Sequence, residues 1–252
     1  MKYKALFIDV DDTLVIHGLE YLPSKRVSQA VAQCTKKGVA VCLATSRPLY
    51  AAINIIAHLN MKGLCILNGG TQIYDPINKR MVRELYIPKG AISKLLAYAR
   101  KHHLKIGIFD GENNIDLPKH LISKETGRII GFYLPEIALS RVDKVEKDLE
   151  DIMDVAIHKM LSWDKKYGWI DVTNGKATKL HGILEVAKRL SIEPHEMIGI
   201  GDGYNDFPLL MACGLKIAMG NAVPELKAIA DFIAPSVEED GVATVIEKFI
   251  LS

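Results

Sequence analysis

The sequence predicts an α/β chain in which a parallel sheet wound with helices is interrupted by an α+β insert. Three observations lead there. Short runs rich in apolar and β-branched residues, at 3–8, 39–44 and 64–67, alternate with stretches of helical apolar spacing, the pattern of strands joined by helical crossovers. That rhythm resumes near Lys179 and continues to the end of the chain. Between them, from 81 to 174, strand-like segments outnumber helices, so this stretch is expected to form its own α+β domain, leaving 1–80 and 175–252 as the core.

Each element has its own signal. Residues 3–8, with aromatic Tyr3 and Phe7 and β-branched Ile8, read as a buried strand. Ser24 can cap a helix whose apolar positions Val27, Ala30, Val31 and Cys34 follow a 3.6-residue period, and Gly38 ends it. A second strand, 39–44, runs into Thr45-Ser46-Arg47-Pro48, with Pro48 placed to open a helix reaching about Leu59. A third, 64–67, ends in Asn68-Gly69-Gly70. In the insert we expect a strand at 82–87, a helix at 89–103, a strand at 105–109 and a charged helix at 141–151. Strands at 155–161 and 168–172 flank a hairpin turn at Trp163-Asp164-Lys165-Lys166, while 110–140 is polar and carries no periodicity that assigns it. Beyond it, a helix through Leu190 has Leu180, Ile183, Leu184 and Ala187 on one face. A strand at 197–200 ends in Gly201-Asp202-Gly203-Tyr204-Asn205-Asp206. A helix through Cys213, a strand at 215–219 and helices from Pro224 and Val242 close the chain.

Composition narrows the function. A net charge of +2 without a basic arm or stripe lends no electrostatic support to nucleic-acid binding. The four cysteines, Cys34, Cys42, Cys65 and Cys213, form no Cys-x-x-Cys pair and sit in apolar runs, as reduced core thiols do. The apolar run at the N-terminus is cut short by Asp9, which argues against a signal peptide, and no apolar stretch is long enough to span a bilayer. A cytoplasmic protein, monomer or homodimer, is the expectation. His102, His103 and His158 show no ligand spacing.

Three carboxylates, Asp9, Asp11 and Asp12, crowd the end of the first strand. Anions so close repel one another unless a cation or strong hydrogen bonds compensate, although Asp is also an ordinary turn residue. The second acidic stretch shifts the balance. Gly201 and Gly203 let the chain turn tightly around Asp202, and Asp206 falls in the first turn of the next helix. In a parallel sheet ligands bind beyond the carboxyl ends of the strands, where Asp9, Thr45, Asn68 and Asp202 all fall. Oxygen ligands without His or Cys suit Mg²⁺. Thr45 offers a hydroxyl to a phosphate oxygen and the following helix offers N–H groups; Lys179 adds an ammonium.

In this order, acid pair, Thr, Lys and second acid pair, the sequence resembles the haloacid dehalogenase (HAD) superfamily of phosphohydrolases, subclass IIB, Cof type. Asp9-Val10-Asp11-Asp12-Thr13 resembles the first motif, Thr45 the second, Lys179 the third and Gly201-Asp202-Gly203-Tyr204-Asn205-Asp206 the fourth. Further likeness runs through Asn68-Gly69-Gly70, Met219-Gly220-Asn221-Ala222 and Glu239-Asp240-Gly241-Val242. Asp12 and Ser46 depart from the pattern, standing where the family often has Gly. The resemblance implies a Rossmann-like core with helices on both faces, and an α+β cap that selects substrate. It implies Asp9 as nucleophile through an aspartyl phosphate and Asp11 as general acid/base, its pKa raised by its anionic neighbour. It implies Mg²⁺ at Asp9, Asp11, Asp202 and Asp206, and phosphate contacts from Thr45, Ser46, Lys179, Asn205, Asn68 and Gly69. Asp171 and Asn174 are its cap candidates, although an outward strand residue and an Asn-Gly turn would look the same.

The activity this implies is Mg²⁺-dependent hydrolysis of small phosphorylated metabolites, sugar phosphates or nucleotide-like monoesters. A phosphomannomutase-like phosphotransferase has the same core and cap type. A receiver-type signalling module also gathers acids, a Thr and a Lys around Mg²⁺, but has no use for a cap.

Overall fold

The computed structural model describes residues 2–18, 20–117, 128–161 and 166–252. The chain divides into two compact units, Met1–Arg83 with Thr178–Ser252, and Glu84–Ala177.

In the first unit, β1 (Ala5–Ile8) has four completely buried residues. Helix α1 (Lys25–Lys36) starts at Ser24, whose side chain accepts the Val27 N–H at 3.1 Å, and buries the expected Val27, Ala30, Val31 and Cys34. Strand β2 (Ala40–Leu43) precedes α2 (Leu49–His58), for which Pro48 is the N-cap. Strand β3 (Cys65–Leu67) departs from the expectation. Among the described residues an isolated bridge between Ala44 and Ile66 ties it to the parallel sheet, and it pairs antiparallel with β4 (Gln72–Asp75), which in turn pairs with β5 (Arg80–Glu84). The strand expected at 82–87 is therefore β5, the edge of this three-stranded sheet.

The inserted unit begins with α3 (Lys89–Lys101), β6 (Ile106–Phe109) and β7 (Asn114–Leu117). Then come β8 (Gly131–Ala138), α4 (Leu139–Leu149), β9 (Val155–Leu161) and β10 (Tyr167–Asn174). Its antiparallel sheet has the order β7-β6-β8-β10-β9. Phe132, Leu134, Ile170 and Val172 on one face pack with Ile92 and Leu95 of α3 and Val142 and Val145 of α4. Strand β8 lies in the polar stretch that carries no assignable periodicity. Pro135 lacks a ladder N–H, Glu136 has a positive φ of 53°, and the β8–β10 register shifts between Gly168 and Ile170, which erases the alternation. The expected turn residues Trp163-Asp164-Lys165 lie outside the described residues; the strands either side pair antiparallel.

Back in the first unit, α5 (Lys179–Leu190) is capped by Thr178 and followed by β11 (Met197–Gly201). Then come α6 (Phe207–Ala212), β12 (Leu215–Ala218), α7 (Pro224–Ala228), β13 (Phe232–Ile233) and α8 (Gly241–Ile246). The buried face of α5 is rotated from expectation: Lys179, Ile183, Val186 and Ala187 are inside and Leu184 is exposed. Burying Lys179 directs positions 183 and 186 inward with it, since residues four and seven apart share a helix face. The five-stranded sheet is all parallel, in the order β13-β12-β11-β1-β2. Helices cover both faces, α1 packing with α8 and α5 with α6. Parallel β1, β2 and β11 consequently deliver Asp9, Thr45 and Asp202 to one edge.

Gly70 fixes where α5 starts. Its φ is +108°, and a Cβ there would lie 2.2 Å from the Thr178 carbonyl oxygen. Gly69, at φ +64°, has open space where a Cβ would stand, with nothing within 4 Å. Gly70→Ala is expected to cost about 3 kcal/mol or more, from a backbone clash added to strain, and Gly69→Ala only about 1 kcal/mol. Chemical denaturation of the two variants checks the ranking.

Candidate active site

The β1–β11 pairing carries on to the acid itself, because the Asp9 N–H donates to the Ile200 carbonyl at 3.0 Å. Asp202 follows β11 and Asp206 ends the short turn Tyr204–Asp206. Gly201 permits this: a Cβ there would come within 2.5 Å of the Asp206 side chain. One oxygen of Asp206 accepts the N–H groups of Asp202 at 2.9 Å and Gly203 at 3.0 Å, which orients the carboxylate. The other accepts from Lys179 Nζ at 2.6 Å, and the same ammonium donates to Asp9 Oδ1 at 2.6 Å. Asp9, Lys179 and Asp206 are all buried. Carboxylate oxygens of Asp9, Asp202 and Asp206 lie within 4.8 Å of one another.

Charge is out of balance here. Three carboxylates against one ammonium leave −2 when all are ionised. Burial pushes the Asp9 carboxyl up against the pull of Lys179, and Asp206 and Asp202 push the same way. Burial also raises Asp202, to about 6, with Asp206 and Asp12 adding to the rise and the Thr13 hydrogen bond opposing it. Burial disfavours the Lys179 ammonium, but Asp9 and Asp206 outweigh that and raise its pKa. A divalent cation would cancel the −2, and an all-oxygen donor set fits a hard ion such as Mg²⁺.

Asp11 stands apart from this cluster. Arg47 grips it in a fork, Nε to Oδ2 at 2.9 Å and Nη2 to Oδ1 at 2.6 Å, and is itself held by the Ala51 and Gly18 carbonyls. Burial would raise the Asp11 carboxyl, but the Arg47 hydrogen bonds and charge, with His17, hold it below the usual carboxylate range. The expectation of a pKa raised by an anionic neighbour is therefore corrected: the dominant neighbour is a cation. Asp11 is likewise absent from the group of oxygens able to share an ion among the described residues.

The remaining candidates divide. Thr45 is buried, and its hydroxyl accepts the Arg47 N–H at 3.0 Å. Ser46 and Asn205 face each other, Nδ2 to Oγ at 3.5 Å, joining the loops after β2 and β11. Asn68 and Gly69 spend their N–H groups on the Arg47 and Thr45 carbonyls, both at 3.0 Å, and the Asn68 amide donates to Gln72 Oε1 at 2.5 Å. These two brace the Thr45 loop. In the inserted unit, burial lifts the Asp171 carboxyl to about 6, partly offset by a Trp169 hydrogen bond, and His158 is its cross-strand neighbour. The Asn174 amide joins two chain segments of that unit, donating to the Tyr86 carbonyl at 2.8 Å and accepting the Lys176 N–H at 2.9 Å.

Two further residues belong to the site, and the sequence marks them only by position. The buried Thr13 hydroxyl donates to Asp202 Oδ1 at 2.8 Å, linking the two acidic stretches. Arg47 anchors Asp11. The available signal was position: Thr13 closes the first acidic stretch and Arg47 lies two residues past Thr45.

An acidic, lysine-bridged pocket of oxygen ligands at the carboxyl edge of a parallel sheet defines a class, the α/β enzymes that bind phosphate esters against a hard cation. The match to the model of the haloacid dehalogenase-like hydrolases spans residues 6–246, and the chain belongs to that family. It is a hydrolase acting on phosphate esters. The 5-amino-6-(5-phospho-D-ribitylamino)uracil phosphatase YcsE of Bacillus subtilis is 25% identical over 264 residues, covering 98% of this chain and 96% of that protein. A haloacid dehalogenase-like hydrolase from Bacteroides thetaiotaomicron superposes with a TM-score of 0.81 at 25% identity, covering 99% of this chain and 100% of that one. The subclass IIB sugar phosphatase BT4131 has the same fold, with a TM-score of 0.75 at 22% identity and 98% of each chain covered. No helix among the described residues is long and apolar enough to cross a membrane.

The raised carboxyls make a pH signature. A carboxyl raised on folding contributes stability that is complete below its unfolded pKa and is lost as pH rises from there through its folded pKa, and a cation relieves the resulting charge. At a concentration a hundredfold above its Kd at pH 8, Mg²⁺ is expected to raise Tm by about 5–10 °C at pH 8, and the same concentration much less at pH 5, where protons compete for Asp9 and Asp202 and weaken binding. Thermal melts with Mg²⁺ or EDTA at both pH values measure this, and an equal increment at both would contradict it.

Proposed function

We propose that the chain is a Mg²⁺-dependent phosphatase of small phosphorylated metabolites, sugar-phosphate or nucleotide-like monoesters, working through a phosphorylated Asp9. The observation that carries this reading is the convergence of Asp9, Asp202 and Asp206 around the Lys179 ammonium. Asp9, Asp202 and Asp206 would hold the ion, whose chemistry when bound is to neutralise phosphate charge so that one anion can approach another.

Lys179 fixes Asp9 Oδ1, and we assign attack on phosphorus to the other Asp9 oxygen. That oxygen forms the new bond as the bond from phosphorus to the leaving oxygen breaks, and Asp11 gives the departing oxygen a proton. In the second half Asp11 takes a proton from water, the water oxygen bonds to phosphorus and the Asp9–phosphorus bond breaks. Acid/base assistance of this kind contributes about 10²–10⁴-fold. The Arg47 fork holds Asp11 ionised, which suits its role as base. Its role as acid requires the ion pair to part, and a phosphate dianion favours that by competing for the guanidinium. Lys179 and the Thr45 hydroxyl stabilise charge on the transferring phosphoryl oxygens, with Ser46 and Asn205 at the rim. The inserted unit is the part to which we assign choice of leaving group, with the half-buried Asp171 carboxyl as its candidate polar contact. The names of YcsE and BT4131 support substrates of this class.

Release of phosphate from p-nitrophenyl phosphate in Mg²⁺ tests the reading. Asp9→Asn is expected to fall below detection while circular dichroism stays that of the parent, and Asp11→Asn to lose about 10²–10⁴-fold. Turnover that survives EDTA, or an active Asp9→Asn, would overturn the assignment.

A further inference from the structure

The loop from Met219 to Val223 lies between the two acidic stretches and bonds to both. The Met219 N–H donates to the Gly201 carbonyl at 3.0 Å, and the Val223 N–H to the Asp202 carbonyl at 2.9 Å. Toward the first stretch the loop has one contact of the same kind, from a side chain: Asn221 Nδ2 donates to the Asp12 carbonyl at 2.7 Å. The orientation of that amide is dictated by its other end, where Oδ1 accepts the Val237 N–H at 3.0 Å; a flipped amide would oppose two donors there and two oxygens at Asp12. The loop beneath is stiff, with the Gly220 carbonyl accepting from Lys227 Nζ at 2.6 Å and the Gly220 N–H donating to Pro235 at 3.2 Å.

What Asn221 holds is the strained point of the first stretch. Asp12 has φ +56°, a left-handed conformation that a non-glycine residue enters at a cost, and it stands between Asp11 and Thr13. Thr13 in turn donates to Asp202 at 2.8 Å. The Asp12 N–H is held by the Val15 carbonyl at 2.8 Å and its carboxylate by the His17 N–H at 3.0 Å, so Asn221 supplies the anchor on the carbonyl side, facing Thr13. Without it the Asp12–Thr13 peptide loses that anchor, and the Thr13 link to Asp202 loosens with it.

We propose that Asn221 is a positioning residue that sets the Asp12 peptide, and through it the spacing of the two acidic stretches that share the cation. This rests on the metal-dependent reading above. Both ends of its amide are spent on the protein, on the Asp12 carbonyl and the Val237 N–H, so its loss is expected in metal affinity and kcat rather than in KM.

The test compares Asn221→Ala and Asn221→Asp with Val237→Pro in the full chain. Asn221→Asp keeps the oxygen that Val237 needs and turns an oxygen toward the Asp12 carbonyl. Val237→Pro deletes the outer N–H and changes a half-buried side chain packed against the core, at the first position of a short helical turn preceded by extended Ser236 (φ −67°, ψ 169°), where proline fits. Two readouts are taken: the Mg²⁺ concentration giving half the thermal stabilisation, and kcat and KM for p-nitrophenyl phosphate. Both Asn221 variants are expected to need about tenfold more Mg²⁺ and to lose kcat at nearly constant KM, while Val237→Pro loses less on both counts. Parent-like Mg²⁺ affinity and kcat in Asn221→Ala would overturn the proposal. So would a lower Tm in EDTA shared by Asn221→Ala and Val237→Pro without a change in metal affinity, since a plain loop staple does that. A parent protein that neither gains stability from Mg²⁺ nor turns over would refute the underlying reading, and the proposal with it.

Discussion

The structure is built around an unbalanced charge. Asp9, Asp202 and Asp206 meet where water is largely excluded, and the Lys179 ammonium alone among the described residues reaches two of them at 2.6 Å. Like charges brought together out of water resist ionisation, which is why Asp9 and Asp202 are pushed upward even beside a lysine. Such a cluster persists only when the surrounding fold over-determines it. Here the parallel sheet does so, with β1 paired to β11 up to its last residue, Ile8 opposite Ile200, and the Asp9 N–H continuing the ladder.

Much of what surrounds the acids is main chain rather than side chain. Asp206 is oriented by two backbone N–H groups, Gly201 makes room for it, and Gly70 lets the Asn68–Gly70 turn approach the Thr178 carbonyl just before Lys179. Asn68 and Gly69 direct their N–H groups to the carbonyls of Arg47 and Thr45. The Thr45 loop is held by backbone hydrogen bonds from Asn68 and Gly69, the start of α5 by the close approach of Gly70, and the acidic ends of β1 and β11 by the buried Lys179 side chain. Arg47 belongs to the same scaffold, since it holds Asp11 while resting on two carbonyls.

The inserted unit has a hydrophobic core of its own, with α3 and α4 packed on one face of a five-stranded antiparallel sheet. Asp171 lies on the opposite face of β10 from Ile170 and Val172, which are fully buried. The Asn174 amide joins two segments of its own unit, through the Tyr86 carbonyl and the Lys176 N–H.

The order of acids, Thr, Lys and acids could be read along the chain because it depends on residue type and on strand ends, which local periodicity marks. The helix at Lys25–Lys36 was legible for the same reason, with its cap and its buried stripe both encoded within a few residues. Strands β4, β8 and β13 were not. β13 has two residues, β8 is broken by Pro135 and a bulge, and β4 follows the Asn68-Gly69-Gly70 turn directly, where the sequence carries a turn signal. The sense of the Asp11 shift was also out of reach, because a local reading sees Asp9 and Asp12 while the residue that governs it, Arg47, is brought 36 positions back by the β2 crossover. Residue chemistry and local period are properties of a short window. Electrostatic partners, helix rotation and strand register are settled by contacts between windows, and those exist only once the chain has folded.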